Sequence, residues 1–265
     1  MKTNRAFWGI SIMLLGAVML LKTMGFLHFN VWRLMGPAIL ILIGLWFIYV
    51  AIVNPKPPAP ESLSIPREGA EEMFLTLNHG AGKMQIKGGA AESELLSGSF
   101  NSGIEHDVHH VGATANVTLK PFGDPLNIVI PGNFRGLNWD VALNSSIPVS
   151  IDLNSGANES TLNLTDVNLK KLDVSTGASK TDIYFSNKST VCSAVINAGV
   201  AEVNLHIPSN VAATIRVQGK ELSSIKVDTN RFAQSGDSYQ SMDYATAENK
   251  LDIEVKPGLG EINIS

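Results

Sequence analysis

Cysteine is nearly absent from the chain. Cys192 stands alone among 265 residues, which excludes an internal disulfide framework and any zinc or iron–sulfur site built on several thiolates. Charge is scarce as well. Only 17% of residues are Asp, Glu, Lys or Arg, against about 25% in an average globular protein, and the 20 basic residues are outnumbered by 24 acidic ones. A net charge of −4 and a pI near 5.9 leave no basic footprint for a nucleic acid. Mean hydropathy is nevertheless +0.12, too apolar for an ordinary soluble domain and too polar for a helical membrane bundle. Unlike parts are therefore joined in one chain, which is long enough for one large domain or two small ones.

The apolar residues concentrate at the start. Residues 6–21 carry no formal charge, and neither do residues 34–53, which read LMGPAILILIGLWFIYVAIV. A helix over the second stretch spans about 30 Å, the thickness of a bilayer core, and the first reaches a similar length if it runs to residue 27 with Lys22 snorkelling to the interface. Pro37 falls in the first turn of the second helix, where its missing N–H costs nothing. Gly9 and Gly16, seven apart on one face, allow close helix approach. The sequence thus predicts a two-helix transmembrane hairpin over residues 1–53, with helices at about 6–27 and 34–53. A cleaved signal peptide is the competing reading, but no small-x-small site follows Leu21. Lys2, Arg5 and Lys56 lie on the terminal side of the hairpin and Lys22 and Arg33 in its loop. Three against two leans towards a cytoplasmic C-terminal domain, whereas the Asn-, Ser-, Thr- and Gly-rich remainder has the composition of an exported one. The side is left open. NPKPPAPE, with four prolines in eight residues, begins a Pro-rich linker over residues 54–70 that favours an extended spacer.

Residues 71–265 alternate apolar and polar positions with strand period, and one pattern recurs five times: apolar-x-apolar-x-x-Gly. Leu75 and Leu77 precede Gly80; Ile151 and Leu153 precede Gly156; Leu172 and Val174 precede Gly177; Ala194 and Ile196 precede Gly199; Ile253 and Val255 precede Gly258. A second apolar pair follows each glycine: Met84 and Ile86, Leu162 and Leu164, Ile183 and Phe185, Val203 and Leu205, Ile262 and Ile264. Residues two apart on a strand share a face. Each copy accordingly reads as a strand, a tight glycine turn and a second strand, with the glycine supplying positive φ or close backbone approach. Spacings of 21 and 22 residues between the central glycines are those of a stacked repeat whose copies bury one continuous core. The fold expected is an all-β domain, β-solenoid-like or sandwich-like, behind the helical hairpin. Cys192, in phase with Ala194 and Ile196, is expected to be a small buried core residue.

These segments carry a resemblance. GISIMLLG and GPAILILIGLW, within the first 53 residues, resemble the hairpin that heads LiaI/LiaF-type bacterial membrane proteins. Residues 138–179, NWDVALNSSIPVSIDLNSGANESTLNLTDVNLKKLDVSTGAS, are similar to the toast-rack β-repeat of the same proteins, and residues 195–265 to a LiaF-type or adhesin-type C-terminal repeat. The resemblance implies a membrane-anchored, non-enzymatic protein that senses or restrains the response to cell-envelope stress beside a membrane histidine kinase. An adhesin or envelope-structural module is the alternative. Two helices instead of the four of some members set this chain apart.

The sequence carries no catalytic motif. No glycine is followed by a phosphate-loop Lys-Ser/Thr, no serine sits in a GxSxG turn, and Asp173, Asp182 and Asp252 fall at outward strand positions. The densest polar cluster is EHDVHH, residues 105–110. On a helix His106, His109 and His110 could converge on a metal, whereas on the strand that the surrounding residues favour His106 and His110 share one face and His109 takes the other. No catalytic, cofactor or metal residue is assigned. The partners expected are the lipid bilayer and a membrane histidine kinase or other envelope protein, with an oligomer compatible and nucleic acid excluded.

Overall fold

The computed structural model describes residues 60–101, 103–122, 137–219 and 223–265, with scattered positions between Met13 and Leu45. The hairpin expected over residues 1–53 lies outside the described residues, among which no helix is long and apolar enough to cross a membrane. The chain divides into two units, Met1–Lys56 with Pro125–Phe134, and Pro57–Asp124 with Arg135–Ser265. The second carries the strands.

In chain order these are β1 (Glu61–Pro66), β2 (Glu72–His79), β3 (Gly82–Gly88), β4 (Glu94–Phe100), β5 (Ile104–Val111), β6 (Thr114–Pro121), β7 (Leu137–Leu143), β8 (Val149–Asn163), β9 (Leu169–Tyr184), β10 (Val191–His206), β11 (Ala212–Val217), β12 (Ser223–Val227), β13 (Phe232–Ser235), β14 (Ser238–Ser241) and β15 (Lys250–Ile264). They form one 15-stranded sheet. β1 starts ahead of residue 71, inside the stretch read as linker, because Leu63 and Ile65 alternate with serines and pair against β4.

The centre of the sheet is a parallel stack in which β8, β9, β10 and β15 follow one another in register. β2 and β3 together make the layer before β8, and β6 and β7 the layer beyond that. β11 and β12 make the layer after β15. The five sequence copies superpose as layers of this stack, so Leu75, Ile151, Leu172, Ala194 and Ile253 form one inward row. All five are at most 2% exposed. Burying side chains of this kind contributes about 1.5–3 kcal/mol each for the larger ones, which a single layer could not achieve alone. Antiparallel strands close the ends: β5 on β6, β4 and β1 on β7, β14 and β13 on β11.

The glycine does something other than the tight turn the sequence suggests. In β8, β9, β10 and β15 the strand runs through it without interruption, and none of these four glycines has positive φ. The chain bends there: in β8, β9 and β10 the glycine and the residue after it both face outward, and inward alternation resumes on a second arm with shifted parity. The glycines stack on one another, Gly156 N donating to Gly80 O at 3.0 Å. A Cβ at Gly156 would lie 2.9 Å from Gly80 O, at Gly177 3.0 Å from Gly156 O, and at Gly199 2.7 Å from Gly177 O. Close backbone approach at a shared bend is thus the reason for glycine.

Register also corrects the second apolar pair. Ile86 aligns with Leu162, Ile183, Leu205 and Ile264. Leu164 and Phe185, read from sequence as members of that arm, instead begin the return segment, where Leu164 N donates to Tyr184 O and Phe185 N to His206 O. The positions they were taken to fill hold Ser160 and Thr181, both fully buried.

Candidate functional site

The outward face of the second arm is built from rows of matched polar side chains, one row per pleat, with Lys226 of the Asn204–Asn263 row reaching diagonally to Glu261 of the row before. Lys83 pairs with Glu159 at 2.8 Å, Lys180 with Glu202 at 2.9 Å and Lys226 with Glu261 at 2.7 Å. Hydrogen bonds from these lysines hold the Glu159, Glu202 and Glu261 carboxyls below their usual range. In the next row Asn204 Nδ2 donates to Asp182 Oδ1 at 2.7 Å and Asn263 Nδ2 to Asn204 Oδ1 at 2.8 Å. Beyond it the Tyr184 and His206 rings stack 4.4 Å apart at 12°. Each row works only in the observed alignment, so the polar face pins the register that the apolar face buries.

Two shallow grooves lie among the described residues, one beside this surface and one on the first arm at the bend. One, of about 460 Å³, crosses β1, β4, β7 and β3 and is lined by the hydroxyls of Ser62, Ser64, Ser97 and Ser99 beside the Lys87–Asp140 ion pair, whose closest atoms are 3.0 Å apart. The other, of about 370 Å³, follows the first-arm row Asn154, Ser175, Asn197 and Lys256 next to Gly199 and is lined also by Ser155, Thr176 and Ala198. Both are open and lined by neutral polar groups with paired charges.

The residues singled out in the sequence are scattered. His106 and His110 lie on one face of the edge strand β5 and His109 on the other, as strand alternation requires; His109 pairs with Asp107 at 2.8 Å and His110 approaches Glu68 at 3.8 Å. Among the described residues no three His, Cys, Asp or Glu side chains gather as a metal site. Cys192 is 5% exposed, and burial, with Asp252 adding, pushes its thiol up to about 12. Asp173 pairs with Lys171 at 2.5 Å, Asp182 sits in the amide row, and Asp252 accepts from Tyr244 Oη at 2.5 Å. All three are outward, and each is held in a local pair.

What the sequence did not disclose is polar and internal. His79, Ser155 and Thr176 continue the inward rows of Leu77, Leu153 and Val174 on consecutive strands. Across the bend, Asn158 and Trp139 face the same interior, with Asn158 Nδ2 donating to Ser160 Oγ at 2.5 Å. His79 Nε2 lies 3.2 Å from Leu137 O, and the Trp139 ring stands edge-on to His79 and Phe100 at 5.1 and 5.4 Å. Burial lowers the pKa of His79, the hydrogen bond to Leu137 opposing it. Five atoms here are buried without a protein hydrogen-bond partner: His79 Nδ1, Trp139 Nε1, Ser155 Oγ, Asn158 Oδ1 and Thr176 Oγ1. Left dry, each would cost about 1–3 kcal/mol, a sum comparable to the roughly 5–15 kcal/mol by which a domain is stable at all.

Comparison with known proteins now bears on these features. Residues 6–48 match the LiaI-LiaF-like transmembrane region, and residues 55–206 match the N-terminal domain of toast_rack. No curated protein matches. Among solved structures, a candidate cell adhesion protein from Clostridium sporogenes is 26% identical, with a TM-score of 0.71 over 79% of this chain and 99% of its own. A candidate adhesin from Bacteroides fragilis aligns over 80% of this chain and 100% of its own, at 9% identity and a TM-score of 0.30, too far away to inform fold or function. The toast-rack match covers more than half of the chain and takes in the stack from its first layer through β10; the chain belongs to the toast-rack N-terminal domain family and is a membrane-anchored β-repeat protein.

Proposed function

We propose that this protein is a non-enzymatic regulator of the bacterial envelope-stress response, acting by protein contact beside a membrane histidine kinase. The observation that carries the reading is the union, in one chain, of a LiaI-LiaF-like transmembrane region at residues 6–48 and a toast-rack domain beginning at residue 55. The rows of paired side chains on the second arm suit contact, because side chains already held by their neighbours lose little freedom when a partner docks. The test is biochemical and genetic. The tagged full chain, extracted in mild detergent from cells given a cell-wall antibiotic, co-purifies with the kinase, and deletion changes that kinase's output. Unchanged output overturns the proposal.

A second reading, an adhesin or envelope-structural module, is favoured by the likeness to the Clostridium sporogenes protein. The serine-lined groove on β1 and β4 is then the natural contact for a polar polymer. This reading needs the β-domain outside the cell, so complete protection from added protease in intact cells ends it.

A further inference from the structure

We infer that the inner angle of the bend, from β2 to β9, is a hydration site: a short file of ordered water molecules held by the buried side-chain atoms of the stack. His79 opposes Ser155, and Ser155 opposes Thr176, on adjacent parallel strands. Adjacent strands lie about 4.8 Å apart, a gap that the longer Asn204 and Asn263 side chains span directly but the short hydroxyls of Ser155 and Thr176 do not. That separation is right for one water between them, with two legs of about 2.8 Å.

The inventory of groups fits as well. Trp139 Nε1, Ser155 Oγ and Thr176 Oγ1 bring hydrogens to donate, while His79 Nδ1 and Asn158 Oδ1 bring lone pairs, taking Nε2 of His79 as the protonated nitrogen because it faces Leu137 O. Turning the Asn158 amide over would exchange an orphan acceptor for an orphan donor and leave the count unchanged. A buried water wants two to four such partners, and the angle of the bend offers them from both arms. The site also has ends. In the row after Thr176 the same position is Ala198, and the one after that is Pro257, neither of which has a side-chain polar atom to hold a water. The hydrated stretch therefore stops where β10 begins, and the C-terminal layers are dry at the bend.

Hydrated and dry interiors respond in opposite directions to the same substitution. Thr176→Val is close to isosteric and keeps the β-branch, so in a dry seam it removes an orphan hydroxyl and raises the urea midpoint of the full chain in detergent. In a hydrated seam it deletes a bond to water and lowers the midpoint. Ser155→Ala repeats the test at a smaller side chain should the valine variant fold poorly. Lowered midpoints in both, together with density peaks about 2.7–3.2 Å from at least two of the five atoms in a crystal structure of the full chain, are the expected result. A raised or unchanged midpoint, or an angle without peaks, overturns the inference.

Discussion

His79 carries a pH dependence whose sign follows from its burial. Its pKa is lowered from the ordinary 6.5 chiefly by desolvation, so between 6.5 and the folded-state value the unfolded chain binds a proton that the folded chain does not. Stability therefore rises with pH across that window, is complete above 6.5, and is lost as pH falls through it, by at most about 1.4 kcal/mol per pH unit for one proton. A series of urea midpoints from pH 7.5 to 5 should decline, and His79→Gln, which keeps a donor for Leu137 O, should flatten the decline. The carboxyls of Glu159, Glu202 and Glu261 are lowered from 4.5, so their contribution is present above 4.5 and is lost as pH falls below it. An equal slope in wild type and variant would remove His79 from the account. None of this was legible in the sequence, where His79 is one residue of a strand ending in glycine. Cys192 was legible, because phase with Ala194 and Ile196 is a local property. The interior positions of Ser155, Asn158 and Thr176 depend on where the strand bends, and short polar side chains give no periodic signal of their own.

Within each element, the sequence located the glycines and the close backbone approach they permit, and took a stacked bend for a tight turn. Spacing of apolar pairs reveals that something happens at Gly156, Gly177 and Gly199, but a tight turn and a stacked bend leave the same apolar trace. The distinction lies between chains of residues twenty apart, in how closely one backbone passes the next. The two accounts differ in consequence. A turn glycine with positive φ tolerates a D-like geometry and fails through strain, whereas a bend glycine fails through collision with the carbonyl of the previous layer. Gly199→Ala places its Cβ 2.7 Å from Gly177 O, and Gly177→Ala 3.0 Å from Gly156 O. Carbonyls whose chain neighbours on both sides are paired into the ladder have little room to move aside, so both variants should be destabilised by about 1–3 kcal/mol, the usual cost of overpacking, with Gly199→Ala the worse. Gly112→Ala is the contrast, since its φ is +61° and nothing lies within 4 Å of an added Cβ; its cost is conformational alone, of order 1 kcal/mol. Thermal midpoints rank the three, and a neutral Gly199→Ala would mean that the layers can slide apart at the bend. The same dependence on stacking explains why β1 was read as linker: ESLSIP alternates over too few residues to declare itself until β4 is beside it.

For the whole molecule the open question is which side of the membrane the stack occupies, and the single buried cysteine makes the experiment simple. A thiol at 5% exposure and pushed up to about 12 is almost never a thiolate at neutral pH, and the thiolate is the form that reacts. Wild-type protein should stay unlabelled by a membrane-impermeant maleimide both before and after lysis, becoming reactive only on unfolding. Asn210→Cys then adds one exposed thiol in the turn between β10 and β11 without any need to replace Cys192. Three basic residues flanking the terminal side of the expected hairpin against two in its loop favour retention of the terminal side in the cytoplasm. The margin is one charge, and Lys22 and Arg33 oppose it. We expect the variant to be protected in intact cells and labelled after lysis, which is the outcome consistent with contact to the cytoplasmic part of a kinase. Labelling in intact cells would put the stack outside, where the adhesin-like reading and the serine-lined groove on β1 and β4 become the better guide to its partner.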